Sequence, residues 1–225
     1  DQLGLKLKFI NGDDFVGQVK RYINGDTPFI RGTIESQLGQ ASEVLGSTAA
    51  TKPQVFLQLT YSAGDHLVSR ETVKTLNDLK GKGKKIKIAL QQGGPHVGFL
   101  YGILQTAQLT KDDVEIVWTK DLSGKDGPAD LMRKDPSVDC SFNITPDMIG
   151  LCGGVDQKGG DAEGNIKGAH VLVSTQQMSR AIADVLAARK DWYDANKPVV
   201  NKIVAGYLKA CVQLVQMRTF AWDMI

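Results

Sequence analysis

Residues 76–104 read LNDLKGKGKKIKIALQQGGPHVGFLYGIL, and this stretch decides the fold. Residues 86–90 form a short strand pattern that runs into the pair Gly93-Gly94, and a helical pattern follows. A strand that ends in glycines and opens a helix predicts an α/β unit. Its first helical N–H groups would be free to meet a polar or anionic ligand. The stretch lacks a dinucleotide fingerprint and a phosphate-loop lysine, so it indicates a binding turn without nucleotide chemistry.

The size and composition are those of a globular protein. The chain has 225 residues, of which 42% are hydrophobic and 23% charged, enough for one large domain or two small lobes. The formal net charge of +2 provides no field for nucleic acid, so no nucleic-acid partner is expected. No apolar run is long enough to span a bilayer. No signal peptide occurs at Asp1, so we expect a cytoplasmic chain or a mature product.

Few residues suggest catalysis or metal binding. Cys140, Cys152 and Cys211 are odd in number and lack metal-ligand spacing, so we interpret them as small hydrophobic residues. The pairs Asp13-Asp14 and Asp112-Asp113 directly precede helix or strand patterns, which favours capping over acid–base work. The sequence therefore predicts no catalytic residue, no metal and no cofactor.

Strand and helix patterns alternate along the whole chain. An early strand is expected at 5–9 and a buried strand at 55–59, and mainly parallel strands are expected throughout. One strand–helix–turn–Asp–strand–Thr unit occurs twice, ending at Thr33 and at Thr145. Two similar α/β lobes would place equivalent loops around a cleft.

In open α/β sheets, ligands lie beyond the carboxyl ends of the strands, and this rule selects the candidate site. Arg31 could clasp an oxyanion through two hydrogen bonds, although a surface arginine fits the pattern equally well. The glycine pair also fits a plain tight turn. His66 and His170 are interpreted as strand histidines. The predicted ligand-binding residues are Arg31, Gly32, Thr33, Tyr61, Gly93, Gly94, Pro95, His96, Thr145, Asp147, Ser174 and Thr175.

Four stretches resemble the solute-binding proteins of ABC transporters, in the branch of nitrate, sulfonate and taurine binders and thiamine-precursor binders. They are INGDTPFIRGT at 23–33, the segment from LNDLKGKGKKIKIALQQGG to KDDVEIV at 76–117, DPSVDCSFNITPDM at 135–148, and IADVLAARKDWYDANKPVVNKIVAGYLKA at 182–210. Together they cover most of the chain, and the second stretch is the most specific.

The resemblance implies a two-lobe type II periplasmic-binding-protein fold that lacks the family's first strand and helix. Lobe I would comprise 1–66 and 184–225, and lobe II 67–183, with hinge crossings near 64–70 and 179–186. It implies capture of a small polar or anionic organic ligand by hinge closure. The implied partner is an ABC transporter membrane permease, and the implied location is periplasmic or extracellular with a lipid anchor.

Two other functions remain open on the same fold. A ligand-sensing domain of a transcription regulator would carry a helix-turn-helix, which the sequence does not show. An enzyme similar to a thiamine-pyrimidine synthase would carry a reactive site rich in histidine and cysteine, which these loops lack. The resemblance favours a binding protein that is not an enzyme, and the sequence does not name its ligand.

Overall fold

The computed structural model describes residues 4–10, 15–178 and 180–222, without the side chains of 218–222. Strands and helices alternate as the sequence predicts. The strands are β1 Phe29–Thr33, β2 Pro53–Thr60, β3 Asp65–Ser69, β4 Ile86–Gln91, β5 Val114–Thr119, β6 Cys140–Ile144, β7 His170–Ser174 and β8 Asp184–Arg189. The α-helices are α1 Phe15–Asn24, α2 Ser42–Leu45, α3 His96–Thr106, α4 Pro128–Lys134, α5 Thr145–Cys152, α6 Lys190–Ala195 and α7 Lys197–Trp222.

The chain divides into two compact units. Unit 1 comprises 1–31, 41–59 and 185–225, and unit 2 comprises 32–40 and 60–184. The predicted lobes differ from these units at 32–40, at 60–66 and at Asp184, and the lobe boundaries stay a prediction. Strand β3 lies in unit 2, and the hinge crossing expected near 64–70 stays a prediction as well. The other expected crossing includes Ser179, which lies outside the described residues, as do Asp13 and Asp14.

Unit 1 contains most of a three-stranded sheet with the order β1-β8-β2. Arg189 donates hydrogen bonds from Nη1 to the carbonyls of Tyr22 and Ile23, at 2.9 and 2.8 Å, and so closes the end of α1. Two sequence predictions are wrong here. Residues 5–9 form no strand, because alternation alone supplies no pairing partner, and Phe9 is 89% exposed. Strand β2 forms at the predicted place but is half-buried, with Val55 exposed.

Unit 2 contains a five-stranded sheet with the order β5-β4-β6-β3-β7. Strand β4 is parallel to β5 and β6, whereas β3 is antiparallel to β6 and β7. Four strands therefore run in one direction, as predicted, and β3 runs against them. All five residues of β3 are buried, including the polar Asp65, His66 and Ser69, so the strand has no exposed face of the kind that marks many antiparallel strands.

The core of unit 2 lies on both faces of this sheet. One cluster includes Leu67, Leu100 and Phe142, and the other includes Val68 and Met148. Burial of this kind contributes roughly 25 cal/mol per Å² of apolar surface. The packed sheet brings the carboxyl ends of β4, β5, β6 and β7 to the edge at which β3 begins.

Candidate functional site

The sheet register of unit 2 assembles the predicted strand-end residues around the start of β3. Asp65 pairs with Ile144, so the end of β6 and the first residue of α5, Thr145, lie beside it. His66 pairs with Ser174, at the end of β7. Polar side chains distant in sequence therefore meet at one sheet edge, where α/β folds place ligands.

His66 links two of the predicted site residues. Its Nδ1 lies 3.0 Å from Ser174 Oγ, and its Nε2 lies 3.1 Å from Thr145 Oγ1. The imidazole is fully buried, and burial lowers the pKa of His66 despite the nearby charge of Asp65. A neutral ring can donate at one nitrogen and accept at the other, which orients both hydroxyls. His66 is a strand histidine, as predicted, but sequence reasoning missed these contacts.

Asp65, next to His66, forms a second set of polar contacts at this sheet edge, and sequence reasoning missed these contacts. His96 Nε2 lies 2.5 Å from Asp65 Oδ1, and the Ser62 hydroxyl donates to Oδ2. The backbone N–H of Asp65 donates to Thr175 Oγ1 at 3.1 Å. Burial raises the pKa of Asp65, but its hydrogen bonds with His96 and Ser62 and its electrostatic interaction with the two nearby histidines outweigh burial and lower it. The sequence carries no local signal for these contacts, because His96 and Thr175 lie 31 and 110 positions from Asp65.

The glycine pair forms a tight turn between β4 and α3. The N–H of Gly94 donates to the Gln91 carbonyl at 3.2 Å, and Gly93 has φ +65°, a conformation that favours glycine. A Cβ on Gly94 would lie 2.6 Å from Gln91 Oε1. The turn itself therefore favours glycine at both positions, by its positive φ at Gly93 and by the lack of space for a Cβ at Gly94, whatever ligand binds nearby.

The expectation of free N–H groups at the start of α3 is wrong for Gly98. Its N–H donates to Ser36 Oγ at 2.8 Å, and the Ser36 hydroxyl donates to the Pro95 carbonyl at 2.6 Å. Ser36 belongs to the π-helical turn Ile34–Leu38, and it is separated from Gly98 by 62 positions. No local pattern reports so distant a cap.

Thr33 uses its polar groups within its own segment. Its N–H donates to Gln37 Oε1 at 3.1 Å, and its hydroxyl accepts from the Gln37 N–H at 3.3 Å. Gly32 and Thr33 are buried, whereas Tyr61 is 43% exposed. Arg31 ends a segment of unit 1, and its place in a ligand site stays a prediction.

Three buried polar atoms in unit 2 have no hydrogen-bond partner in the described part of the protein. Unpartnered buried atoms are costly, and they mark places where another group could bind. Burial raises the pKa of Asp147, although Arg133 opposes it. The three atoms are His96 Nδ1, Asp147 Oδ2 and Asn143 Oδ1, and the first two belong to predicted site residues.

The described residues provide no cluster of three histidine, cysteine or acidic side chains that could hold a metal ion. Cys140 and Cys152 are buried, as expected of small hydrophobic residues, and burial raises the pKa of both thiols. Cys211 is half-buried in α7. Within the same described residues, every helix is too short or too polar to cross a membrane.

No family model matches the chain, and no curated protein matches it. Solved structures do. A putative sulfonate ABC transporter, periplasmic sulfonate-binding protein SsuA from Methylobacillus flagellatus KT, is 24% identical with a TM-score of 0.60. The match covers 87% of this chain and 53% of that protein.

Two further structures are similar. The periplasmic aliphatic sulphonate binding protein SsuA from Escherichia coli is 16% identical over 95% of this chain and 64% of its own length, with a TM-score of 0.63. The desulfurization enzyme DSZB is 16% identical over 93% of this chain and 68% of its own, with a TM-score of 0.55. The chain thus spans about half to two-thirds of the two sulfonate-binding proteins, and it has the fold of the type II periplasmic binding proteins.

Proposed function

We propose that this chain belongs to the solute-binding component of an ABC importer and captures a small polar or anionic organic ligand. The observation that carries the proposal is the gathering of strand-end polar residues at one edge of the unit 2 sheet. Thr145, Ser174, Thr175 and His96 meet there around Asp65 and His66. The fold is one on which solute-binding proteins are built, and this edge is where such sheets hold ligands.

The chemistry of this edge supports a small polar ligand. Hydroxyl groups and imidazole nitrogens can each donate or accept, so they suit oxygen-rich organic molecules. Arg31 in unit 1 would supply the positive charge for an anionic group, and Tyr61 an aromatic surface. Closure of the two units around the ligand by a hinge is part of the proposal.

The proposed role implies a partner and a compartment. A captured solute must be handed to a membrane permease, which we propose as the partner of the closed, ligand-bound form. The corresponding location is the periplasm, or the outer surface of the cell with a lipid anchor. Copurification of a permease with the full-length protein, in the presence of its ligand, tests this part.

A thermal-shift screen tests the binding function. The panel comprises aliphatic sulfonates, small oxyanions, amines and pyrimidines. A ligand at a concentration of about 100 times its Kd stabilises the folded state by about 2.7 kcal/mol, so a true ligand raises Tm clearly. We expect one chemical class to stand out. Equal melting curves across the panel, repeated by calorimetry at millimolar concentrations, would contradict the proposal.

An enzyme on this fold is the second candidate, because the desulfurization enzyme DSZB shares it. The buried thiols Cys140 and Cys152 speak against thiolate chemistry at those two positions, because burial raises their pKa. Mass spectrometry of a sulfonate recovered after long incubation separates the candidates. A binding protein returns the sulfonate unchanged, whereas an enzyme returns a product.

A further inference from the structure

We propose that Asp65 is a positioning residue of the ligand site, which acts through His96 to hold the glycine turn. This inference rests on the proposed function, since it assigns a role within the same site. Asp65 belongs to none of the predicted ligand contacts. It opens β3, while His96 opens α3 directly after the turn Gln91–Pro95.

Asp65 forms hydrogen bonds with three other segments of unit 2. Its Oδ1 holds His96 Nε2 at 2.5 Å, and its Oδ2 accepts from Ser62 in the segment before β3. Its backbone N–H and carbonyl both meet the Thr175 hydroxyl, each at 3.1 Å, after β7. One carboxylate therefore ties the glycine turn to the segment of Tyr61 and Ser62, and both carry predicted contacts.

The His96 ring is held by one polar contact and one stacking contact. Its plane lies 22° from that of Phe142, with ring centroids 5.4 Å apart. The ring is fully buried, and its Nδ1 has no hydrogen-bond partner in the described part of the protein. A 180° flip of the ring about the Cβ–Cγ bond would keep the stacking on Phe142, so the hydrogen bond to the carboxylate selects the orientation in which Nε2 faces Asp65. Removing the carboxylate removes that control.

Two other hydrogen bonds hold the glycine turn at different positions. Ser36 holds Pro95 from one side, and the Gln92 N–H donates to the Thr119 carbonyl at 3.0 Å from another. Neither reaches the side chain of His96. Replacing Asp65 should therefore leave the turn formed but shift its end next to α3.

Stability alone gives a weak reason for this buried pair. His96 stacks on Phe142 of the apolar cluster that includes Leu67 and Phe99, and a buried charged side chain is often no more stabilising than well-packed apolar residues. A positioning role explains why a carboxylate occupies this place.

A double-mutant cycle measured by calorimetry, with ethanesulfonate as the probe, tests the proposal. Asp65→Asn should weaken binding by about tenfold or more, which is the usual effect of losing a buried charged hydrogen bond. In a His96→Phe background, which keeps a ring to stack on Phe142, the same change should cost less than about threefold. Equal losses in both backgrounds would overturn the proposal.

The matched control is Asp139→Asn. Asp139 is a buried carboxylate of unit 2 that binds the Lys87 N–H at 3.0 Å at the opposite end of the sheet. Its replacement should leave the affinity unchanged. Asp65→Glu, which keeps the charge, should recover part of the lost affinity, whereas a purely steric role for Asp65 predicts no recovery.

A measurement without ligand keeps this inference separate from the proposed function. Amide NMR signals of Gly93 and Gly94 should move in Asp65→Asn and stay in place in Asp139→Asn. If the wild-type protein binds no ethanesulfonate and the glycine signals move, the sulfonate ligand is wrong and the positioning role stands. If the glycine signals stay in place in Asp65→Asn, the positioning role is wrong.

Discussion

At the scale of one residue, burial determines both the hydrogen bonds and the favoured protonation state of His66. Both ring nitrogens meet hydroxyl groups, on Thr145 and Ser174, so the neutral ring is fully satisfied. Burial favours this neutral form over the charged one, because a low-dielectric site stabilises an ion poorly. Protonation would also place two donors on the ring and reduce one hydroxyl to an acceptor only.

This burial predicts acid sensitivity. The pKa of His66 is lowered in the folded state from an ordinary value of about 6.5, so the unfolded chain binds the proton more readily. Stability is therefore full above about pH 6.5 and falls as the pH drops below it. We expect the free energy of unfolding to decline from pH 7.5 to pH 5. In His66→Gln the decline should be smaller, and an identical slope in both proteins would contradict this assignment.

The glycine turn predicts different outcomes for its two glycines. Gly93→Asn should cost little, because asparagine tolerates positive φ, whereas Gly93→Val should cost about 1–2 kcal/mol. Gly94→Val should lower Tm further, because its Cβ would collide with Gln91 Oε1, Cβ and carbonyl oxygen. Circular-dichroism melts of the three variants check this order. A Gly94→Val protein that melts like wild type and only loses ligand would support direct contact with ligand instead.

A residue's role could be predicted from the sequence where its neighbours in the chain determine that role. A strand followed by Gly93-Gly94 and a helical pattern reports a turn from neighbouring residues alone, and the turn is there. Asp65 and Ser36 could not be found in this way. Their partners are 31 and 62 positions away, so only the tertiary fold brings them together.

At the scale of elements, α3 depends on a cap from a distant segment. Ser36 Oγ accepts from the Gly98 N–H and donates to the Pro95 carbonyl, so it satisfies one donor and one acceptor at the start of the helix. Gly98 is small because a Cβ there would lie 2.8 Å from Ser36 Oγ. Helix starts normally find this cap in the preceding residue, but here Pro95 occupies that position and has no such side chain.

Replacement of this cap has a measurable cost. We expect Ser36→Ala to lower the free energy of unfolding by about 1–2 kcal/mol, the usual effect of losing a helix cap. Urea unfolding followed by circular dichroism measures it. Ser123→Ala, at an exposed serine of the same unit that makes no cap hydrogen bond, is the control. A loss no larger than that of the control would show that Ser36 is dispensable.

Element positions followed from the sequence more readily than pairing directions. The predicted strand at 86–90 matches β4 closely, because an apolar run bounded by polar residues and glycine is a local signal. The antiparallel pairing of β3 was missed, because the sequence of a short buried strand does not show whether the strand pairs in a parallel or an antiparallel direction. The strand at 5–9 was predicted from alternation that no neighbouring strand uses.

At the scale of the whole molecule, the alternating pattern and the resemblance predicted an α/β fold of the type II binding-protein class, and that prediction is confirmed. The division into units was harder to foresee. Residues 32–40 lie in unit 2, because Ser36 contacts α3, although the chain before and after them lies in unit 1. Contacts between distant segments decide such a division, and a linear pattern does not record them.

The last prediction asks whether one ligand engages residues of both units. Thr145 belongs to unit 2 and Arg31 to unit 1, and both are proposed to contact an anionic ligand. If they share a ligand, Arg31→Ala and Thr145→Val should each weaken binding of ethanesulfonate. The loss of the charged hydrogen bond from Arg31 should cost about 1.5–3 kcal/mol. Lys52→Ala removes the same charge from an exposed position of unit 1 and is the control. Loss of affinity in Thr145→Val alone would place the ligand on unit 2 without Arg31, and a binding mode that closes both units around an anion would then be wrong.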